Sequence, residues 1–115
     1  MYNYDDNLIF EGEYLNGQTN GKGKEYWNDK LSFEGEYLND KRNGKGKEYN
    51  KDGNLRFEGD YLNDTRNGKG KQYDNNGKLR FEGDYLDGKR NGKGKEYNYD
   101  GKLIFEGEYL NGERK

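Results

Sequence analysis

The chain has no cysteine, no histidine, no proline and no valine, and it has a single serine, Ser32, and a single methionine. Without cysteine there is neither a disulfide framework nor a thiolate metal site, and the redox compartment is left open. Without histidine or cysteine, and with one serine, no Ser/His or Cys/His nucleophilic constellation can be assembled. No apolar run approaches the roughly 20 residues that span a bilayer. The first ten residues, MYNYDDNLIF, lack the charged and apolar regions of a signal peptide. Net charge is also nearly absent: 21 basic against 23 acidic residues leave −2. A dedicated nucleic-acid binder would show a net basic stripe, so none is expected. These absences predict a non-enzymatic, cytoplasmic protein without a cofactor.

Aliphatic residues are scarce too, with 10 Leu and 2 Ile beside 5 Phe. So thin a supply suggests disorder, but disorder also calls for high net charge, which is missing. What the chain has in plenty is glycine (19), tyrosine (12) and order in their spacing. Phenylalanine recurs at Phe10, Phe33, Phe57, Phe81 and Phe105, in steps of 23, 24, 24 and 24. A fixed period of this size marks one supersecondary unit stacked on copies of itself, an ordered solenoid with a thin core. The chain reads as a single repeat domain over 1–115. A partial unit covers 1–7, full units cover 8–30, 31–54, 55–78 and 79–102, and a second partial unit covers 103–115. Met1 to Tyr4 matches the end of a repeat, and the last unit stops before its Gly-x-Gly segment. The array is therefore natively ragged or part of a longer one. One irregularity interrupts it: Tyr26 to Phe33 is seven residues, where later units have eight, which places a deletion in Trp27-Asn28-Asp29-Lys30.

Within a unit the apolar period is two, the signature of a strand. Leu79, Phe81, Gly83 and Tyr85 share one face, and Arg80, Glu82 and Asp84 the other. Asp87-Gly88-Lys89-Arg90-Asn91 reads as a loop leading into a second strand through Gly92 and Gly94, and Asn98-Tyr99-Asp100-Gly101 as a four-residue turn to the next unit. The pattern predicts an all-β fold, a single-layer, elongated, twisted antiparallel meander of tandem hairpins. With roughly nine or ten strands at ~4.8 Å spacing it would be about 45 Å long. The predicted register pairs Tyr85 with Gly92, Asp84 with Lys93, Gly83 with Gly94 and Glu82 with Lys95. Across the next turn it pairs Gly94 with Phe105 and Lys93 with Glu106, so that Lys93 stands between two carboxylates. Phe105 would lie over side-chain-free backbone at Gly94. Phe81, Tyr85 and Leu79 would pack on Phe105, Tyr109 and Leu103.

Phe33-Glu34-Gly35-Glu36-Tyr37 with Gly44-Lys45-Gly46, and Phe81-Glu82-Gly83-Asp84-Tyr85 with Gly92-Lys93-Gly94, resemble the MORN repeat. The resemblance recurs over almost the whole chain. Two positions depart from the family pattern. Tyr stands where Trp is frequent, and Asn20, Asn43, Asn67 and Asn91 stand where His is frequent. The KEYNxDGKL segment is also similar to bacterial MORN-variant repeats of YwqK type. The resemblance implies a β-hairpin scaffold that mediates protein–protein contacts, often dimerises and often sits at membranes or cytoskeleton, with phosphoinositides among the proposed ligands. The YwqK-type likeness implies a bacterial antitoxin-like or surface role.

Two surfaces stand out as candidates. Phe33, Tyr37, Phe57, Tyr61, Phe81 and Tyr85 form an aromatic strip that is either the core or, where a single-layer sheet leaves it open, a contact site for a protein partner or a second copy. Lys41, Arg42, Lys45, Lys47, Arg66, Lys69, Lys89, Arg90, Lys93 and Lys95 could present a row of basic loops to an anionic lipid surface. Unblocked edge strands offer a further route to oligomers. Paired carboxylates such as Glu11 and Glu13 are better read as ladder partners of lysine than as a glycosidase pair. Asn50-Lys51-Asp52-Gly53 and Asp74-Asn75-Asn76-Gly77 fall short of a calcium loop and read as plain turns.

Overall fold

The computed structural model describes residues 8–115, so the expectations for residues 1–7 lie outside the described residues. Its strands run in chain order: β1 (Leu8–Leu15), β2 (Gln18–Trp27), β3 (Lys30–Leu38), β4 (Lys41–Tyr49), β5 (Leu55–Leu62), β6 (Thr65–Tyr73), β7 (Leu79–Leu86), β8 (Lys89–Tyr97), β9 (Leu103–Leu110) and β10 (Glu113–Arg114). All ten form one antiparallel sheet whose spatial order is the sequence order. The principal extents are 45 × 26 × 19 Å, with the long dimension the one expected from strand spacing. The array is an open sheet of hairpins laid edge to edge rather than a closed solenoid coil.

The hairpin turns are shorter than the sequence suggests. Only Asp87-Gly88 lies between β7 and β8, and Lys89 and Arg90 already belong to the strand, with Leu86 opposite Lys89. Both turn residues have positive φ, 51° and 86°, and so do Asn39-Asp40 and Asn63-Asp64 in the equivalent turns. This is the two-residue hairpin turn whose twist matches that of the strands. Gly83 faces Gly94 and Glu82 faces Lys95 as expected, but Tyr85 faces Arg90 and not Gly92. A bulge absorbs the difference. Gly92 takes a φ of 108°, and the Asp84 carboxylate does not face the Lys93 side chain but accepts the Lys93 backbone N–H at 3.3 Å. Glu13, Glu36 and Asp60 do the same for Lys22, Lys45 and Lys69. A β-bulge leaves a donor without a ladder partner, and here an acidic side chain takes it.

The turn between units also closes one residue later on its first strand than expected. Asn98 N–H donates to Lys102 C=O at 2.9 Å, so the loop closes on Asn98 rather than on Tyr97, and a second bulge follows beside Glu96. The two offsets move the register by two. Gly94 faces Gly107 rather than Phe105, Lys93 faces Glu108, and Lys95, not Lys93, stands between Glu82 and Glu106. The alternation of charge survives because a shift of two keeps every side chain on its face. In the short link the turn shrinks to Asn28-Asp29, and Gly23 still meets Gly35.

The consequence is a row of glycines running unbroken across β1 to β9: Gly12, Gly23, Gly35, Gly46, Gly59, Gly70, Gly83, Gly94 and Gly107 are successive cross-strand partners. Phe10, Phe33, Phe57 and Phe81 each lie on the glycine of their own hairpin partner, Gly23, Gly46, Gly70 and Gly94. A Cβ built on Gly94 would be 2.6 Å from the Phe81 ring, so the covering ring is Phe81, not Phe105. Leu79 and Leu103 stay outside the ring column, and Leu103 is half exposed.

Adding a methyl group to this row should be far worse than changing a turn glycine. A Cβ at Gly59 would sit 2.6 Å from the Gly70 Cα, against backbone that cannot move aside. Gly59→Ala is expected to cost about 3 kcal/mol, at the upper end for overpacking. Gly88→Asp introduces the residue that Asp40 and Asp64 already provide at that turn position, and is expected to change stability by less than about 0.5 kcal/mol. Urea unfolding midpoints check both.

Candidate functional site

The two faces of the sheet differ in character. On one, Phe33, Phe57 and Phe81 are 0% exposed, and Tyr37, Tyr61, Tyr85 and Tyr109 are buried beside them. The rings meet edge to face. Within a unit Phe33–Tyr37 centroids are 5.8 Å apart, and between units Phe33–Tyr61, Phe57–Tyr85 and Phe81–Tyr109 are each 5.2 Å apart. That is the preferred arrangement for rings with negative faces and positive edges. Phe10, Phe33, Phe57 and Phe81 therefore pack on the tyrosine of the next unit, not on its phenylalanine. The strip Phe33, Tyr37, Phe57, Tyr61, Phe81 and Tyr85 is brought together as a continuous column, and it is the interior of the molecule.

What closes the column is a second shared device. The guanidiniums of Arg42, Arg66, Arg90 and Arg114 lie over Phe33, Phe57, Phe81 and Phe105 at 4.0, 4.0, 4.1 and 4.5 Å from the ring centres. Arg42 donates through Nε and Nη2 to Glu25, both at 3.0 Å, and Arg66 through Nε (3.0 Å) and Nη2 (3.1 Å) to Glu48. The hydroxyls of Tyr37 and Tyr61 donate to the same carboxylates. A planar, always-charged fork that can stack and bind a carboxylate at two points is what arginine offers and lysine does not. Burial disfavours the Glu48 carboxylate, but hydrogen bonds from Arg66 and Tyr61 outweigh it and hold the group below its ordinary range. Burial and then the Glu48 hydrogen bond push the Tyr61 hydroxyl upward. One unit further on, burial pushes Tyr85 up to about 12, and the charges of Arg66 and Arg90 counter it.

The basic residues singled out in the sequence are thus divided among three places. Arg42, Arg66 and Arg90 are strand residues on the ring face, not loop residues. Lys41 and Lys89 stand at the hairpin tips, opposite Leu38 and Leu86. Lys45, Lys47, Lys69, Lys93 and Lys95 lie on the other face. There the nine-glycine row forms the floor of an open groove of about 1420 Å³, walled by two rows in which lysines alternate with Glu or Asp. Lys45 pairs with Asp60 and Lys69 with Asp84. The lysine side chains of these pairs are 78% and 79% exposed, the carboxylates 29% and 31%. The ammonium groups therefore reach outward while the carboxylates are tied to backbone. Tyr26, Tyr73 and Tyr97 add hydroxyls that donate to Glu11, Glu58 and Glu82.

The glutamates under the arginines were missed in the sequence. Their signal was a fixed repeat position, directly before Tyr26, Tyr49 and Tyr97, occupied by Glu25, Glu48 and Glu96 and, before Tyr73, by Gln72. The turn reading of Asn50–Gly53 and Asp74–Gly77 matches the geometry. Asn50 Oδ1 accepts the N–H groups of Asp52 and Asn54 at 2.9 Å, and Asp74 Oδ1 those of Asn76 and Lys78 at 2.9 and 3.0 Å.

A family model described as MORN repeat matches residues 10–32, 33–55 and 81–102, and one described as MORN repeat variant matches residues 66–87. No curated protein matches the chain.

The lowered carboxylates make stability depend on pH in a fixed direction. Glu48, Glu96, Asp60 and Asp84 all titrate below their ordinary values in the folded chain. Their stabilisation is present above the unfolded carboxylate range, near pH 4 to 4.5, and is lost as pH falls through the lower folded values. The urea midpoint is expected to hold from pH 7 to about 5 and to fall below that. Glu48→Gln should lower the unfolding free energy at pH 7 by about 1–3 kcal/mol, read as a lower urea midpoint, and make the fall in acid shallower.

Proposed function

The chain belongs to the MORN-repeat family, a non-enzymatic family of repeat scaffolds, and from that premise we propose that it is a binding scaffold without catalytic activity whose groove face holds a protein partner. The observation that carries this reading is the contrast between the faces. The ring face is filled by its own side chains, so it offers no apolar strip to a partner. The opposite face offers a long concavity with the glycine row as floor, buried at Gly23, Gly46, Gly70 and Gly94, and two charged walls. Rows of alternating sign give little net attraction but much discrimination, because a partner must match the pattern along the array or leave charges unpaired. The repeat fixes that pattern at one step per unit, which a rigid sheet holds in place without help from flexible loops.

Photo-cross-linking in the native cell tests the reading. A photoreactive residue at Lys71, on the groove wall, is expected to capture protein, and one at Asn75, on a link turn, is not. Reversing Lys69 and Lys71 to Glu should weaken the captured complex roughly tenfold or more, since like charges would then stand side by side. Equal capture from both positions refutes the groove as the docking face. Flotation of the purified chain with anionic vesicles that is lost in salt would favour a lipid surface in its place.

A further inference from the structure

We propose that the slot formed by Gln72 and Arg90, beside the Phe81 ring and the Tyr85 hydroxyl, recognises a single carboxylate group supplied from outside the chain. The slot lies on the ring face, opposite the groove, so this inference stands independently of the docking surface proposed above.

Four slots along the ring face are built on one plan. In the second, the Tyr61 hydroxyl and Arg66 Nε both donate to Glu48 Oε2, and Arg66 Nη2 donates to Oε1. In the first, Tyr37 and Arg42 Nε share Glu25 Oε2, and Arg42 Nη2 takes Oε1. In the fourth, Tyr109 and Arg114 Nε share Glu96 Oε1, and Arg114 Nη2 takes Oε2 at 2.9 Å. The third slot repeats half of this. The Tyr85 hydroxyl and Arg90 Nε, at 3.0 Å, both donate to Gln72 Oε1. The other terminal atom of Gln72 is an amide nitrogen, a donor, where the sister slots have the oxygen that receives Nη2. Two donors are thus aimed at each other. Turning the amide over does not cure this, because the nitrogen would then face both the Tyr85 hydroxyl and Arg90 Nε.

Arg90 also lacks a carboxylate of its own. Its Nη1 lies 3.6 Å from Glu96 Oε1, but Glu96 already receives Tyr109 and both nitrogens of Arg114. One carboxylate serves two guanidiniums, so this half of the ladder carries an excess positive charge. The Arg90 side chain is 27% exposed, as open to solvent as the neutralised Arg42 at 26%. Phe81, 4.1 Å below it, fixes its plane. A group that accepts from Arg90 Nη2 and from the Gln72 amide at once would satisfy both donors and the charge. A carboxylate has that fork geometry and one negative charge. A phosphate dianion would add repulsion from Glu96, which disfavours it.

Nitrogen-15 NMR of the arginine Nε–H groups in the whole chain tests the proposal, with sodium acetate and inorganic phosphate as probes at constant ionic strength. The Arg90 signal is expected to shift saturably with acetate, more weakly with phosphate, while those of Arg42, Arg66 and Arg114 stay in place. Gln72→Glu supplies the carboxylate internally and should weaken the acetate response at least tenfold. Glu48→Gln should create a second responsive site at Arg66. An Arg90 signal that responds no more than Arg42, or a response that survives Gln72→Glu, overturns the site. Tighter binding of phosphate than of acetate overturns its assignment to carboxylate.

Discussion

The structure depends on one close approach: a phenylalanine ring lying on a strand that has no side chain to lift it. A ring resting at contact distance on a peptide backbone needs glycine beneath it and a glycine beside that one, since a Cβ at Gly59 would strike the Gly70 Cα and one at Gly70 the Phe57 ring. Glycine weakens a strand when considered alone. Here the ring returns the loss by covering backbone that would otherwise be wet, the exchange seen when an aromatic side chain covers a glycine across a strand pair. The nine-glycine row is thus a condition of burial for the rings. Because the row is continuous, every hairpin relies on its neighbours for closure, in the manner of linear repeat arrays.

A single-layer sheet has no second layer to seal its apolar side, yet three phenylalanines are wholly buried. The seal comes from polar side chains used as a lid. Arginine stacks its flat face on the ring and turns its edge to a carboxylate, so its charge is met by hydrogen bonds while its carbon and π surface covers apolar area. The tyrosine hydroxyl completes the same carboxylate. A chain with very few aliphatic residues can therefore still make an interior, because a complete unit such as 31–54 contributes two rings, Phe33 and Tyr37, one arginine, Arg42, and one acid, Glu48, in fixed positions.

Much of this was legible in the sequence, and the parts that were not have a common cause. The spacing of Phe10 to Phe105 gave the number of units and the strand period, and the family resemblance is carried by the same residues. The choice between strip as core and strip as contact site could not be made from the pattern, because the decision rests with Arg42, Arg66 and Arg90. Those residues looked like loop cations. Two bulges per unit put them elsewhere. Bulges add or remove a residue without leaving a trace in alternation, so Tyr85 could be assigned its face correctly and its partner incorrectly. The alternation of lysine and acid was likewise legible as a ladder, with the Glu82–Lys95 rung inside the hairpin placed correctly and the rungs across the link to the next unit misplaced by two.

In a repeat protein, what is general and what is particular can be separated by position. Features shared by every unit, such as the glycine row, the ring column and the two-residue hairpin turns, describe how any such array holds together. A departure at a single position changes one unit against an internal standard provided by the others. The short link at Asn28-Asp29 is one departure, and it leaves the register at Gly23 and Gly35 intact, so the sheet absorbs it within a turn. Gln72 is another, and the sheet does not absorb it, since a neutral amide in a ladder of acids alters both the charge and the direction of a hydrogen bond. By that reasoning specificity along this rod is set less by what recurs than by where recurrence fails in a group that cannot be compensated by moving the backbone.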